Sequence, residues 1–433
     1  MTNPRAVAAV IVEQVCYQSV SLSEAFDDTL AFIDDIPLIK EMCFGTLRYW
    51  ISLQAILKDL LETPLKQKDK DIECLLCVGL YQLIHMKVPD YALVNETVTA
   101  TRVLQKAWAS KLVNKILRLA IEKKSNAELT TRGITAHYAH PNWIIEKIQS
   151  AWPLELEHIL TANNQKAPLF LRVNETRITM TKFKKLLSDN DIDYESVSGL
   201  SHGIVLTQAM PVEKIPGFLE GFFSVQDASG QKVAEYLDLK PNQIILDACA
   251  APGSKTTHML EMCPDIQKLV AIDIDRNRLS RVKDNVQRLK LSKKNVVLKA
   301  ADILDTAMWW DDTLFDRILV DAPCSASGVI RRHPDIKLLR KKTDIPTLAA
   351  QQLHILSTLW PLLKADGKLL YSTCSVFTDE NEAVIEKFLS LHPDATIIPI
   401  NNDWGTSLKY GQQVLTGDRD RDGFYYAVIQ KSI

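Results

Sequence analysis

The chain has 433 residues, of which 46% are hydrophobic and 24% charged, with a formal net charge of −2 at pH 7. This is ordinary globular material for two or three domains, and near-neutral charge excludes a surface built throughout for polyanions, so nucleic-acid contacts must come from local basic patches. Eight cysteines are too few for a disulfide framework, no run of about 18 apolar residues occurs, and the start MTNPRAVAAVIVEQV lacks a leader pattern; the expectation is a cytoplasmic protein with free thiols and no membrane association.

Residues 1 to about 122 contain no convincing strand. Apolar residues recur three and four apart in Ile72-Leu75-Leu76-Gly79-Leu80-Leu83 and Leu112-Ile116-Leu117-Leu119-Ala120, which predicts an all-α domain over 1–130. Cys74 and Cys77 form a C-x-x-C inside this apolar helical run, with no second Cys or His pair at metal spacing, so they read as core packing and no metal site is expected. The polar stretch KKSNAELTTRG marks a linker near residue 130. Over 131–235 the linker leads into a small α+β subdomain, with extended pieces at 169–173, 193–197 and 203–207 and a helix at 180–187. From 236 to 433, the runs IILDACA, KLVAIDID, NVVLKAAD, FDRILVDAPC and GKLLYSTC alternate with helical segments. That alternation predicts a Rossmann-like α/β core, a doubly wound and mostly parallel sheet with helices on both faces. A closing strand is expected at 423–430.

The first strand of this core ends in Asp247-Ala248-Cys249-Ala250-Ala251-Pro252-Gly253-Ser254-Lys255, with a helix beginning near Thr256. Such a turn holds a nucleoside-bearing ligand against helix N-terminal N–H groups. Its single glycine argues against NAD and FAD, whose pyrophosphate wants G-x-G-x-x-G. About twenty residues on, the second strand ends at Asp273, where a carboxylate accepts from ribose hydroxyls, and the third ends at Asp302, placed for the exocyclic amine of an adenine. Any one of these strand-end Asp residues reads equally well as a helix cap; three on consecutive strands point to a shared ligand.

The fourth strand delivers Asp321-Ala322-Pro323-Cys324 and the fifth Thr373-Cys374-Ser375. If strands four and five are neighbours in this sheet, they lie roughly 5 Å apart and both thiols open on one cleft. C5 of cytosine is a poor nucleophile until something adds to C6, and a thiolate is well suited to that reversible addition.

At these residues the chain resembles the RNA cytosine-C5 methyltransferases of the NOL1/NOP2/Sun family, through GFFSVQD, DACAAPGSK, AIDID, DAPCSASGVIRRHPD, YSTCSVFTDENE and DGFYYAVIQK. The resemblance implies that Cys374 attacks C6, that Cys324 assists release of the methylated base, and that Asp321 binds the N3 and exocyclic amine edge of the cytosine near the methyl donor. It further implies that Cys249, Ala250, Ala251, Pro252, Gly253, Ser254, Lys255, Asp273, Asp302 and Asp321 hold S-adenosyl-L-methionine. The family usually reads P-G-G-K where this chain has Ser254; a position needing positive φ would make Ser cost up to about 1–2 kcal/mol. The helical domain resembles the NusB-type RNA-binding fold through GLYQL, VNE and SKLVNKILR. That combination is similar to the bacterial family members that act on 16S ribosomal RNA, which implies a monomeric enzyme meeting 16S rRNA before the subunit is fully assembled. A tRNA methyltransferase and a non-catalytic NusB-like RNA-binding factor remain the competing readings. Basic residues cluster at 101–150, with nine Lys/Arg against three Asp/Glu, and at 331–342, with six against one. The second run directly follows Cys324, where an RNA backbone has to lie.

Overall fold

The computed structural model describes residues 3–29, 35–291 and 295–432. They form two compact units: Met1–Lys166 together with Ile330–Lys342, and Ala167–Val329 together with Thr343–Ile433.

The first unit is helical. Its opening helix, Pro4–Gln18, starts where Asn3 Oδ1 accepts the N–H groups of Arg5 and Ala6, with proline in the first turn, a side-chain cap on donors that have no partner within the helix. The helix Lys70–His85 is buried at every position from Ile72 to Leu83, which is why its sequence is apolar around most of its circumference. Cys74 and Cys77 lie in that buried stretch, and desolvation pushes both thiols up. Gly45 is required by close approach, since a Cβ there would stand 1.8 Å from the Tyr81 ring. Helices Ile134–Tyr138, Asn142–Ala151 and Leu156–Asn163 also belong to this unit.

The basic run at 331–342 corrects the sequence reading. Arg331 and Lys337 are buried, and the Lys337 ammonium donates to Arg48 O and, at 2.9 Å, to Asn164 Oδ1. Asp335 accepts the N–H of Leu22 at 3.1 Å, Arg48 donates to Arg331 O at 2.9 Å, and Leu338 and Leu339 pack on the helical core. Burial, then the Arg48 charge, hold the Lys337 ammonium well below its ordinary pKa. The segment is therefore in large part an anchor within the helical unit, and Lys341 and Lys342 are its exposed cations. By contrast, Arg102, Lys111, Arg118 and Arg132 of the first run are exposed.

In the second unit, strands β1 (Leu169–Val173), β2 (Tyr194–Ser196), β3 (Gly203–Leu206) and β4 (Phe223–Val225) form an antiparallel sheet in the order β2-β3-β1-β4. Helix Met180–Ser188 lays Phe183 and Leu187 on it, with the Phe183 and Phe223 rings 5.5 Å apart.

The remaining strands are β5 (Ile244–Asp247), β6 (Lys268–Asp273), β7 (Val296–Ala300), β8 (Phe315–Asp321), β9 (Leu363–Thr373), β10 (Ala395–Ile398), β11 (Thr406–Leu408), β12 (Gly411–Val414) and β13 (Phe424–Lys431). They make a nine-stranded sheet ordered β11-β12-β13-β9-β8-β5-β6-β7, with β10 on β13. The five strands β7-β6-β5-β8-β9 are parallel, and β13 closes antiparallel on β9. Side chains alternate between faces, as period-two strands require. Leu246, Val270, Ile272, Ile318, Val320, Leu369 and Tyr371 pack under helices Asp344–Leu359 and Glu382–Leu391. Ile245, Leu269, Ala271, Leu319 and Leu370 pack under helices Ala228–Tyr236, Ser254–Met262 and Arg276–Arg288. Burial on both faces explains the near-continuous apolar runs in these strands, and parallel pairing brings all their carboxyl ends to one rim.

Candidate active site

That rim carries the side chains expected of it. Register pairs Asp321 of β8 with Ser372 of β9, Asp247 of β5 with Leu319 of β8, and Asp273 of β6 with Ala300 of β7.

The turn after β5 is fixed from several sides. Gly253 sits at φ 98°, its N–H donates to Ala250 O at 2.7 Å, and a Cβ on it would stand 2.9 Å from Val282 Cα, so glycine is demanded by both conformation and space. Ser254 has no positive φ and is the first residue of its helix, two residues before the expected start. Serine there carries no backbone strain. Arg278 and Asn285 donate to the Ala251 and Pro252 carbonyls at 3.1 Å each.

Asp273 accepts the N–H of Ala251 at 3.0 Å and of Asp275 at 3.0 Å. The cap of the following helix is Asp275, whose carboxylate takes Asn277 and Arg278 N–H, so the capping alternative for Asp273 is removed. Asp302 is exposed two residues beyond β7, and its Oδ1 accepts Leu304 N–H in a local turn. Asp247 is fully buried, with Oδ2 taking the Thr256 hydroxyl at 2.6 Å and Oδ1 lacking a partner. Desolvation, reinforced by the Asp321 and Asp273 charges, pushes its carboxyl up to about 7. Half-buried Cys249 has its thiol raised by burial and then by the same carboxylates, which keeps it unreactive.

Asp321 forms an ion pair with Lys255, Nζ to Oδ2 2.5 Å, and its Oδ1 accepts the Ser372 hydroxyl at 3.0 Å. Burial opposes the Lys255 ammonium, but the Asp321 charge and hydrogen bond, with the Cys374 and Asp247 charges, together outweigh it and the pKa is raised. Beyond Asp321, the Cys324 and Cys374 sulfurs stand 3.5 Å apart. The two cysteine loops are tied together by the Gly328 N–H, which donates to Cys374 O at 2.9 Å, and the Gly423 N–H before β13 donates to Gly328 O at 2.9 Å. Cys324 is buried, and its hydrogen bond to Cys374, then desolvation, hold it as a thiol well above the ordinary range. Among the described residues no cluster of three or more His, Cys, Asp or Glu could hold a metal.

Sequence reasoning missed two buried groups behind the rim. Arg172 of β1, fully buried, makes a two-pronged pair with Glu261 at 2.8 and 2.9 Å and donates to Ser254 O at 2.8 Å. Glu380, also fully buried, lies behind the two cysteines. An isolated Arg in LFLRV and an acid in the polar string TDENE carry no periodic signal that marks them for the interior.

Family models match all three parts of the chain: 16S rRNA methyltransferase RsmB/F over residues 234–430, the ferredoxin-like domain of RsmF/B-like methyltransferases over 140–213, and the NusB family over 2–122. The chain is 46% identical over 431 residues to "Probable ribosomal RNA small subunit methyltransferase B" of Coxiella burnetii, spanning 99% of this chain and 100% of that one. It is 41% identical over 434 residues to ribosomal RNA small subunit methyltransferase B of Pseudomonas putida, spanning 99% and 98%. Among solved structures, a methyltransferase homolog protein from Pyrococcus horikoshii aligns with a TM-score of 0.61 at 28% identity, over 69% of this chain and 97% of that one. PH0851 aligns with a TM-score of 0.83 at 21% identity, over 100% and 99%, a likeness of fold.

Proposed function

Since the chain belongs to the 16S rRNA methyltransferase RsmB/F family, we propose that the atom it methylates is C5 of a cytosine in 16S rRNA, through a covalent adduct between Cys374 and C6. The observation that carries this reading is the pair of thiols 3.5 Å apart at the ends of adjacent parallel strands, beside the Asp321–Lys255 ion pair.

The residues around the β5 turn fit S-adenosylmethionine. A buried carboxylate oxygen of Asp247 is left without a partner, Asp273 is not used as a helix cap, and the turn opens onto the first N–H groups of helix Ser254–Met262. Cys249, Ala250, Ala251, Pro252, Gly253, Ser254 and Lys255 would line it, with Asp273 toward the ribose and Asp302 toward the adenine. S-adenosylmethionine supplies an electrophilic methyl on a sulfonium.

Cys374 Sγ adds to C6, and the electron pair displaced from the C5=C6 bond makes C5 nucleophilic. Asp321 receives the exocyclic amine edge of the cytosine, while Lys255 offsets its charge. After C5 takes the methyl group, the C5 proton passes to solvent water, the C–H electron pair re-forms the C5=C6 bond and the C6–S bond breaks, expelling Cys374 as a thiolate. The Cys324 S–H, 3.5 Å away, stabilises the departing sulfur.

The test is a denaturing gel of enzyme incubated with 16S rRNA and S-adenosylmethionine. Cys324→Ala is expected to accumulate a protein–RNA adduct and Cys374→Ala to form none and be inactive. An adduct with Cys374→Ala and not with Cys324→Ala would reverse the roles, and no adduct with either would favour a non-catalytic RNA binder. Bisulfite sequencing of product RNA reads out the modified base directly, and modification confined to tRNA would move the substrate.

A further inference from the structure

Glu380 is completely buried, and its four hydrogen-bond donors are neutral. Oε1 accepts the Ser325 N–H at 2.7 Å and Gln352 Nε2 at 3.1 Å; Oε2 accepts the Ser325 hydroxyl and, at 2.8 Å, the Ser375 hydroxyl. Four donors fill the lone-pair sites of a carboxylate. Their positions give the arrangement its meaning. Ser325 directly follows Cys324, Ser375 directly follows Cys374, and Gln352 uses the same amide group to bind Pro323 O at 2.9 Å, the residue before Cys324.

The Ser375 hydroxyl extends the network, lying 2.9 Å from Ser327 Oγ and accepting the Phe377 N–H at 3.1 Å. On the far side, Asn381 donates to Ser375 O at 2.9 Å. A buried carboxylate of this kind is expensive to desolvate, and an apolar core would stabilise the fold more simply. What it does that an apolar side chain cannot is bind two loops at once with directional bonds.

We propose that Glu380 is the positioning residue of the two-cysteine site: by accepting from the residues that follow Cys324 and Cys374, it fixes the separation and aim of the two sulfurs. The inference rests on the two-thiol reading above for its consequence in catalysis, but the geometry it describes can be measured without the reaction. Glu380→Gln keeps the length of the side chain, and the two serine hydroxyls can turn to accept where they now donate. Glu380→Asp keeps the charge and is one methylene too short to reach both loops.

Two measurements separate the possibilities. In the first, diamide, which takes two hydrogens as the thiols join, is added to free enzyme, and the Cys324–Cys374 disulfide is followed by peptide mapping. Closely spaced sulfurs react fast and displaced ones slowly, so Glu380→Asp is expected to slow this step by about tenfold or more and Glu380→Gln to stay near the wild-type rate. In the second, Glu380→Asp should lower kcat by roughly 100-fold, the loss a misplacement of ~1 Å brings, with the Kd for S-adenosylmethionine close to wild type. Should Glu380→Asp fail to fold, Ser375→Ala removes the arm that reaches the Cys374 loop, together with that hydroxyl's contacts to Ser327 and Phe377, and is expected to slow disulfide formation by about threefold or more. Wild-type disulfide rates in Glu380→Asp, or in Ser375→Ala where the former is unfolded, overturn the proposal. Slowed disulfide formation in an enzyme that makes no RNA adduct would leave the positioning role standing and remove the covalent mechanism instead.

Discussion

Breaking the Arg172–Glu261 pair is expected to destabilise the second unit severely. Arg172 is on the small antiparallel sheet and Glu261 on the helix that starts at the β5 turn, and both are almost free of solvent, at 0% and 5% side-chain exposure. Arg172→Met fills similar space but leaves a carboxylate buried without its cation, and the Ser254 carbonyl and Thr257 hydroxyl lose a donor as well. Removing one partner of such a pair costs about 3–5 kcal/mol, and at about 2–4 °C per kcal/mol for a unit of this size the melting temperature falls by about 6–20 °C. The partner variant tests the reasoning: Arg172→Met combined with Glu261→Met removes both charges and should recover most of the loss, because the penalty belongs to the stranded charge. Thermal melts and urea unfolding of both variants measure this. A loss below about 1 kcal/mol for Arg172→Met, the range of solvated surface pairs, would refute it.

Asp273→Ala should weaken S-adenosylmethionine binding by about 1.5–3 kcal/mol, or about 10- to 150-fold in Kd, by calorimetry; unchanged affinity would mean that Asp273 only tethers the Ala251 N–H. Asp247 gives a pH signature. Its folded pKa of about 7 lies above the unfolded value of about 3.9, so the folded state holds the proton longer and loses stability as pH climbs from about 4 to 7, with no further change above that. Relative to wild type, Asp247→Asn should therefore gain on the order of 4 kcal/mol across that window, and parallel stability curves for the two proteins would contradict the burial argument. Ser254→Gly, restoring the usual family residue, should be neutral or destabilising by up to about 1 kcal/mol in denaturant titration, since Ser254 is already helical without strain; a clear gain in stability would be evidence of strain there.

The parts of the fold that follow from periodicity are legible in the chain. Apolar runs between 244 and 371 had to be buried on both faces, and the structure alternates them between two helical layers. The rim residues also follow, because a strand's carboxyl end is set by where its apolar run stops, and Asp247, Asp273, Asp321, Cys324 and Cys374 all stand at such stops. What composition could not reveal is the depth of a charge. RRHPDIKLLRKK has the count of an RNA-binding strip, yet Lys337 is 2% exposed and Arg331 is 1% exposed; a long basic side chain can bury its stem, and the Lys337 ammonium is satisfied by the Arg48 carbonyl and the Asn164 amide oxygen. Arg172 and Glu380 were illegible because the partners that make their burial possible are distant in the chain, Glu261 89 positions from Arg172, and Ser325 and Gln352 55 and 28 positions from Glu380, a range at which single-chain patterning carries no information.

The division of labour between the thiols, identical in composition, can be argued from what surrounds them. Two thiolates 3.5 Å apart would repel by about 5 kcal/mol at an effective dielectric of ~20, so the pair retains at least one proton. Cys324 is the better holder: its hydrogen bond to Cys374 comes first, burial adds to it, and the Glu380 charge acts in the same direction. Lys255 sits on the other side. Its ammonium, paired with Asp321, is also favoured by negative charge on Cys374, whereas a thiolate at Cys324 would face the buried Glu380 carboxylate. An anionic sulfur is what addition to C6 needs, and a retained S–H is what stabilises the sulfur that leaves. These surroundings fit the proposed roles of Cys374 as nucleophile and Cys324 as its partner in release, and the proposal makes a specific demand: on the denaturing gel, Lys255→Met should impair adduct formation itself, whereas Cys324→Ala should impair only its resolution.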